Sequence, residues 1–153
     1  MKDNIELKNQ IKRHKEMLAK IESKLVENPH DINLLSIKGS NLEFMAYNIY
    51  YIKTEIIGCG AKEEKIARAE RDKLLRDAVK VYQHIIALSP NCTESYIDLA
   101  ECFCTLEDFG KAIEYYDKAI LLYNSGYCTD NIEDELRNAM FKRDNINKYR
   151  KCK

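Results

Sequence analysis

The sequence predicts an all-α fold of about six helices, stacked as antiparallel hairpins with a capping helix at each end. Three observations carry this. Only two prolines and five glycines interrupt 153 residues of which 33% are charged, a composition that favours long solvated helices. Apolar residues recur at spacings of three and four, and no segment sustains the period-two alternation of a strand. Finally, the middle of the chain matches itself at a shift of 34 residues, the mark of a stacked helical repeat.

The first helix is expected over roughly 4–27. Its stripe is Leu7, Ile11, His14, Leu18, Ile21 and Leu25, a heptad-like seam. A neighbouring helix or a second chain would cover it, and the former is the simpler expectation. Asn28-Pro29 ends the helix. A second helix follows over roughly 31–57, capped by Asp31, with Leu35, Leu42, Met45, Ile49, Ile52 and Ile56 on one stripe. It would be about 40 Å long. Gly58-Cys59-Gly60 stops it, because glycine takes the left-handed cap conformation cheaply. Tyr47, Tyr50 and Tyr51 cluster on this helix, either between helices or as an exposed anchoring patch.

The third helix, roughly 62–88, ends in Leu75, Ala78, Val79, Tyr82, Ile85 and Ile86 before Ser89-Pro90-Asn91 breaks it. Helix four is expected over roughly 93–106 with Tyr96, Leu99, Ala100, Phe103 and Leu106 on one face. Helix five, roughly 108–123, carries Phe109, Ala112, Ile113, Tyr116, Ala119 and Ile120. Asn124-Ser125-Gly126 is a turn signal. The last helix begins near Asp130, where Asp130 and Glu133 have capping-box spacing.

At the 34-residue shift Leu75 pairs with Phe109, Ala78 with Ala112, Val79 with Ile113, Tyr82 with Tyr116 and Ile86 with Ile120. Within 93–126 the pattern is Tyr96-x2-Leu99-Ala100-x2-Phe103, then Ala112-x3-Tyr116, with Ala119 at a further small position. This segment resembles a complete tetratricopeptide repeat. Small residues at Ala100, Ala112 and Ala119 let two helices cross closely, and the aromatics fill the space around them. Leu35-x3-Gly39-x2-Leu42 resembles the first half of an earlier repeat, and Ala78-x3-Tyr82 with Pro90 its second half, with roughly 27 extra residues between them. The expected organisation is one domain over 1–153: an N-terminal helix at 1–28, a lengthened hairpin at 31–92, a complete repeat at 93–126 and a capping helix at 129–148.

The resemblance implies a non-enzymatic adaptor, scaffold or co-chaperone-like module that holds a partner peptide or helix in a concave groove. By repeat position, the groove would be lined by Asn33, Ser36, Ser40, Glu43 and Phe44, and by Glu94, Ile97, Asp98, Glu101, Cys104 and Thr105. One subgroup of the family clamps a chaperone-tail carboxylate with Lys and Asn. Ser36, Ser40 and Asp98 stand at those positions, and a carboxylate brought to Asp98 and Glu101 would meet like charge. Such tails are therefore not expected to bind. The acidic and apolar lining points to a basic or amphipathic peptide, unless these carboxylates are only a solvated helix face. The alternative function is a structural subunit, assembled through helix one or the tyrosine-rich second helix.

Other classes find little support. Lys+Arg and Asp+Glu balance at 25 each, so no global basic field draws the chain to nucleic acid. The tail Lys148-Tyr149-Arg150-Lys151-Cys152-Lys153 is basic only locally. The first twenty residues hold no apolar run of signal-peptide length, and nothing reaches membrane-span length. A cytoplasmic or nuclear setting is expected, with Cys59, Cys92, Cys102, Cys104, Cys128 and Cys152 as reduced thiols. Cys102 and Cys104 point about 200° apart on a helix and cannot easily share a metal. His14, His30 and His84 fall on separate segments. Neither a phosphate loop nor a nucleophile elbow is present. No metal, cofactor or enzymatic activity is expected.

Overall fold

A computed structural model describes residues 2–56, 60–126 and 132–150. Among them there are six α-helices and no strand: α1 (Lys2–Glu27), α2 (Ile32–Tyr51), α3 (Ala61–Leu88), α4 (Thr93–Thr105), α5 (Phe109–Asn124) and α6 (Glu133–Arg150). The chain divides into two compact units, Met1–Val81 and Tyr82–Lys153, and the division falls inside α3.

In the first unit α1 packs on α2. Ile11 and Ile21 are buried, and Leu7, His14, Leu18 and Leu25 are half-buried, so the heptad seam of α1 lies against α2. At the turn, Asn28 N–H still reaches the Lys24 carbonyl at 3.0 Å. The Asp31 carboxylate then accepts the Leu34 N–H at 3.0 Å, the expected cap, worth about 1 kcal/mol. Leu35, Leu42, Met45, Ala46 and Ile49 bury one face of α2.

The end of α2 departs from the sequence expectation. Its last turn widens into a π-helical segment, Ile52–Ile56. The Thr54 hydroxyl donates to the Tyr50 carbonyl at 2.9 Å, and bonding four residues back loosens a helix at that point. Ile52 stays buried across the transition. Of the expected Gly58-Cys59-Gly60 stop, only Gly60 is among the described residues. α3 opens with Glu63 and Glu64 in its first turn, where the helix dipole favours negative charge.

The second unit holds the end of α3 with α4, α5 and α6. Ala100, Ala112 and Ala119 have no exposed surface, so α4 and α5 approach closely at these small positions. Tyr116 and Leu99 are equally buried beside them, and the Phe103 and Tyr115 rings stack 5.5 Å apart. Residues 106–108 reverse the chain. Glu107 takes a φ of 62° and Asp108 N–H returns to the Phe103 carbonyl at 2.9 Å. Asp108 then caps α5 through Lys111 N–H. α6 runs antiparallel to α5: Tyr123 donates to Glu133 near one end, and Arg143 reaches Asp117 at 2.9 Å near the other. The capping-box residue Asp130 lies outside the described residues. No helix among those described is long and apolar enough to cross a membrane.

Candidate functional site

The residues expected to line a groove fall into two sets, one on α2 in the first unit and one on α4 in the second. On α2, Asn33 and Ser40 are exposed, whereas Ser36, Glu43 and Phe44 are half-buried. Phe44 already has a partner: its ring stacks on His14 of α1, centroids 3.9 Å apart at 19°. His14 is itself fixed by Asn41. The buried Asn41 amide nitrogen donates to the Ile37 carbonyl at 2.7 Å, which leaves its oxygen to accept from His14 Nδ1. His14 is a satisfied histidine of the α1–α2 seam.

On α4 the burial runs round most of the helix, through Ser95, Ile97, Leu99, Ala100, Cys102 and Phe103. At 100° per residue, one arc remains, and it gathers Glu94, Asp98, Glu101 and Thr105. Glu94 is exposed and the other three are half-buried. Ile97 and Cys104 flank this arc, Ile97 buried and Cys104 half-buried. The Thr105 hydroxyl is turned back to the Glu101 carbonyl at 3.2 Å.

Glu101 is neutralised from α6. Lys142 donates to both of its carboxylate oxygens, at 2.6 and 2.7 Å. Beneath this pair, the Cys104 thiol lies 3.8 Å from the Tyr116 hydroxyl. Burial pushes the Tyr116 phenol far above its ordinary value, and the Glu101 charge adds to the effect. Burial also raises the Cys104 thiol. A thiol held protonated is a poor nucleophile.

The first unit contains a feature that the sequence reading did not single out. A cleft of about 530 Å³ lies among α1, α2 and the part of α3 up to Val81. A smaller cavity of about 240 Å³ continues it along α1 towards Lys8 and past the π-helical segment, sharing Lys15, Ile49 and Glu70 with the first. Leu18, Leu42, Met45, Ile49, Leu74 and Val81 supply the apolar surface of the larger part. Charged side chains stand around it. Lys38 pairs with Glu22 at 2.9 Å, Lys53 with Glu70, and Lys80 with Asp77 at 2.8 Å. The size is that of a binding cleft.

A signal for this cleft did exist in the sequence. Lys8 and Lys15 are seven residues apart, as are Glu70 and Asp77, and Lys73 and Lys80. That spacing keeps charge along one edge of a helix. The tyrosines of α2 do not line the cleft: Tyr47 is 40% and Tyr51 52% exposed, whereas the Arg71 guanidinium covers the Tyr50 ring at 4.9 Å. Among the described residues, no group of three or more His, Cys, Asp or Glu stands together to hold a metal ion. No protein-family model and no curated protein matches this chain.

Proposed function

We propose that this chain is a tetratricopeptide-type helical module, built as a short solenoid, that holds a segment of another protein and catalyses no reaction. The cleft among α1, α2 and α3 carries the reading: an apolar floor between charged edges is a surface fit for a partner's side chains. The 34-residue match and the fully buried alanines of the α4–α5 hairpin support the repeat assignment. A reducing compartment, cytoplasm or nucleus, belongs to the same proposal, with Cys92, Cys102 and Cys104 as reduced thiols.

Affinity capture followed by mass spectrometry tests it with three forms of the chain. One is unaltered, one carries Ser40→Arg and Glu94→Arg on the expected groove faces, and one carries Lys15→Glu and Lys73→Glu in the cleft. Loss of a reproducible partner from the cleft variant alone supports the cleft. Loss from the groove-face variant alone returns the function to α2 and α4. Retention of every partner by both variants would sink the binding-module reading at either surface.

The exposure of Tyr47 and Tyr51 favours a second reading, a structural subunit assembled through α2. Light scattering decides this one: an oligomer that Tyr47→Ser/Tyr51→Ser dissociates is its expected result.

A further inference from the structure

We infer that the cleft of the first unit takes an amphipathic helix with acidic flanks, contributed by another protein; the inference rests on the binding-module reading above. On α1 the lining residues Lys8, Ile11, Lys15, Leu18 and Glu22, and on α2 Lys38, Leu42, Met45 and Ile49, recur at spacings of three and four, with Ile52 and Lys53 of the π-helical segment beyond them. The cleft therefore runs along the helix axes rather than across them. From Lys8 to Glu22 it extends about 21 Å, the length of roughly four turns of a docked helix.

The walls also decide the conformation of the occupant. They are helices, whose interior backbone N–H and C=O groups are already paired within the helix. An extended segment would bury its own backbone N–H and C=O groups there with no partner, which is unfavourable for each group left unpaired. A helix satisfies its backbone internally and presents only side chains. The apolar floor then calls for apolar residues spaced three and four apart on one face.

Charge sets the flanks. The two cavities are lined by six lysines and three carboxylates. All three carboxylates, Glu22, Glu70 and Asp77, are occupied by Lys38, Lys53 and Lys80. Lys8, Lys15 and Lys73 have no carboxylate partner among the described residues. Lys15 of α1 and Lys73 of α3 both line the larger cavity, one from each helix, with α2 contributing its apolar residues to the same cavity. Their long stems cover apolar surface while their ammonium groups reach outward. A helix with glutamates along the two edges of its apolar stripe complements this arrangement, and a lysine-flanked helix is repelled. The occupant is thus opposite in charge to the basic peptide expected from the repeat positions of α4.

Two synthetic peptides of about 15 residues, with one shared Leu/Ile stripe, test this by fluorescence anisotropy on the full chain at low salt. One has glutamate flanks and the other lysine flanks. The glutamate-flanked peptide is expected to bind more tightly, with affinity falling as salt rises. Lys15→Glu/Lys73→Glu is expected to weaken it about tenfold and to reverse the preference. Both lysines are exposed, so circular dichroism of this variant should match the unaltered chain. Lys20→Glu/Lys65→Glu makes the same net charge change on exposed lysines that do not line the cleft, Lys20 lying on the opposite side of α1, and should alter affinity less than about twofold. An equal effect from both variants would reduce the result to non-specific attraction and overturn the site. Tighter binding of the lysine-flanked peptide would overturn the acidic partner and leave the binding-module reading standing. Binding of neither peptide would overturn the inference alone, since affinity capture tests the broader reading separately. A dimer that Lys15→Glu/Lys73→Glu dissociates would identify the occupant as a second copy, against the proposal.

Discussion

Lys142 of α6 holds both carboxylate oxygens of Glu101 on α4, at 2.6 and 2.7 Å. The two residues are 41 positions apart, and the pair ties the last helix to the first helix of the α4–α5 hairpin. Both side chains are partly exposed, 39% and 30%, so the pair is worth about 1 kcal/mol rather than the value of a buried bridge. Lys142→Met should lower stability by about that amount in urea unfolding. A Glu101→Gln/Lys142→Met double variant should lose less than the two single changes summed, because they remove one shared interaction. Strict additivity would show that the pair contributes nothing.

Tyr116 and Cys104 give the alkaline stability limb a definite sign. Burial first, then the Glu101 charge, raises the folded Tyr116 phenol above its ordinary value of 10.0. Burial likewise raises Cys104 above 9.0. The unfolded chain releases these protons around pH 9 and 10, and the folded chain retains them to higher pH. Their contribution is therefore complete below about pH 9 and is lost as pH rises through 9 and 10. Tyr116→Phe removes the larger share, so its thermal midpoint should fall less steeply than that of the unaltered chain above about pH 10. Parallel slopes for the two proteins would contradict the assignment.

Glu107 occupies the left-handed region at φ 62°, where glycine is the usual helix terminator. A side chain there costs about 1–2 kcal/mol, partly offset by the greater unfolded-state freedom of glycine. Glu107→Gly should stabilise the chain by about 0.5–1 kcal/mol and raise the melting midpoint by about 1–4 °C. A lower midpoint would mean that the Glu107 side-chain interaction outweighs the backbone strain.

The Thr93 hydroxyl, at the first position of α4, is buried without a hydrogen-bond partner. Valine has nearly the same shape without that unsatisfied group. Thr93→Val should therefore be neutral or stabilising by up to about 1 kcal/mol. A loss of about 1 kcal/mol or more in chemical denaturation would reveal a hydrogen bond at this hydroxyl.

Much of the local structure was legible in the chain. Apolar spacing located all six helices to within a few residues, because a helix's buried stripe repeats every 3.6 residues whatever it packs against. Asp31 announced its cap, since the short carboxylate reaches an N–H three residues on. Ala100, Ala112 and Ala119 marked the close α4–α5 contact, because only small side chains fit there. The π-helical turn at Ile52–Ile56 was not legible: its apolar residues sit as well on an α-helical stripe, and the competing Thr54 hydroxyl leaves no periodic trace. The expected groove residues were placed by repeat position, which fixes an angle around the helix but not what covers it.

The sequence by itself determined the helices, most of their ends and the small-residue contact that joins α4 to α5. These depend on residues a few positions apart, or on a repeat that copies them. The tertiary structure alone decided which faces stayed open. It buried Ile97, set Phe44 against His14 and placed Lys142 on Glu101. It also put Lys15 and Lys73 around the same apolar cleft. Each of these joins residues on different helices, and periodicity within one helix carries no information about the charge or bulk of the helix that comes to lie beside it.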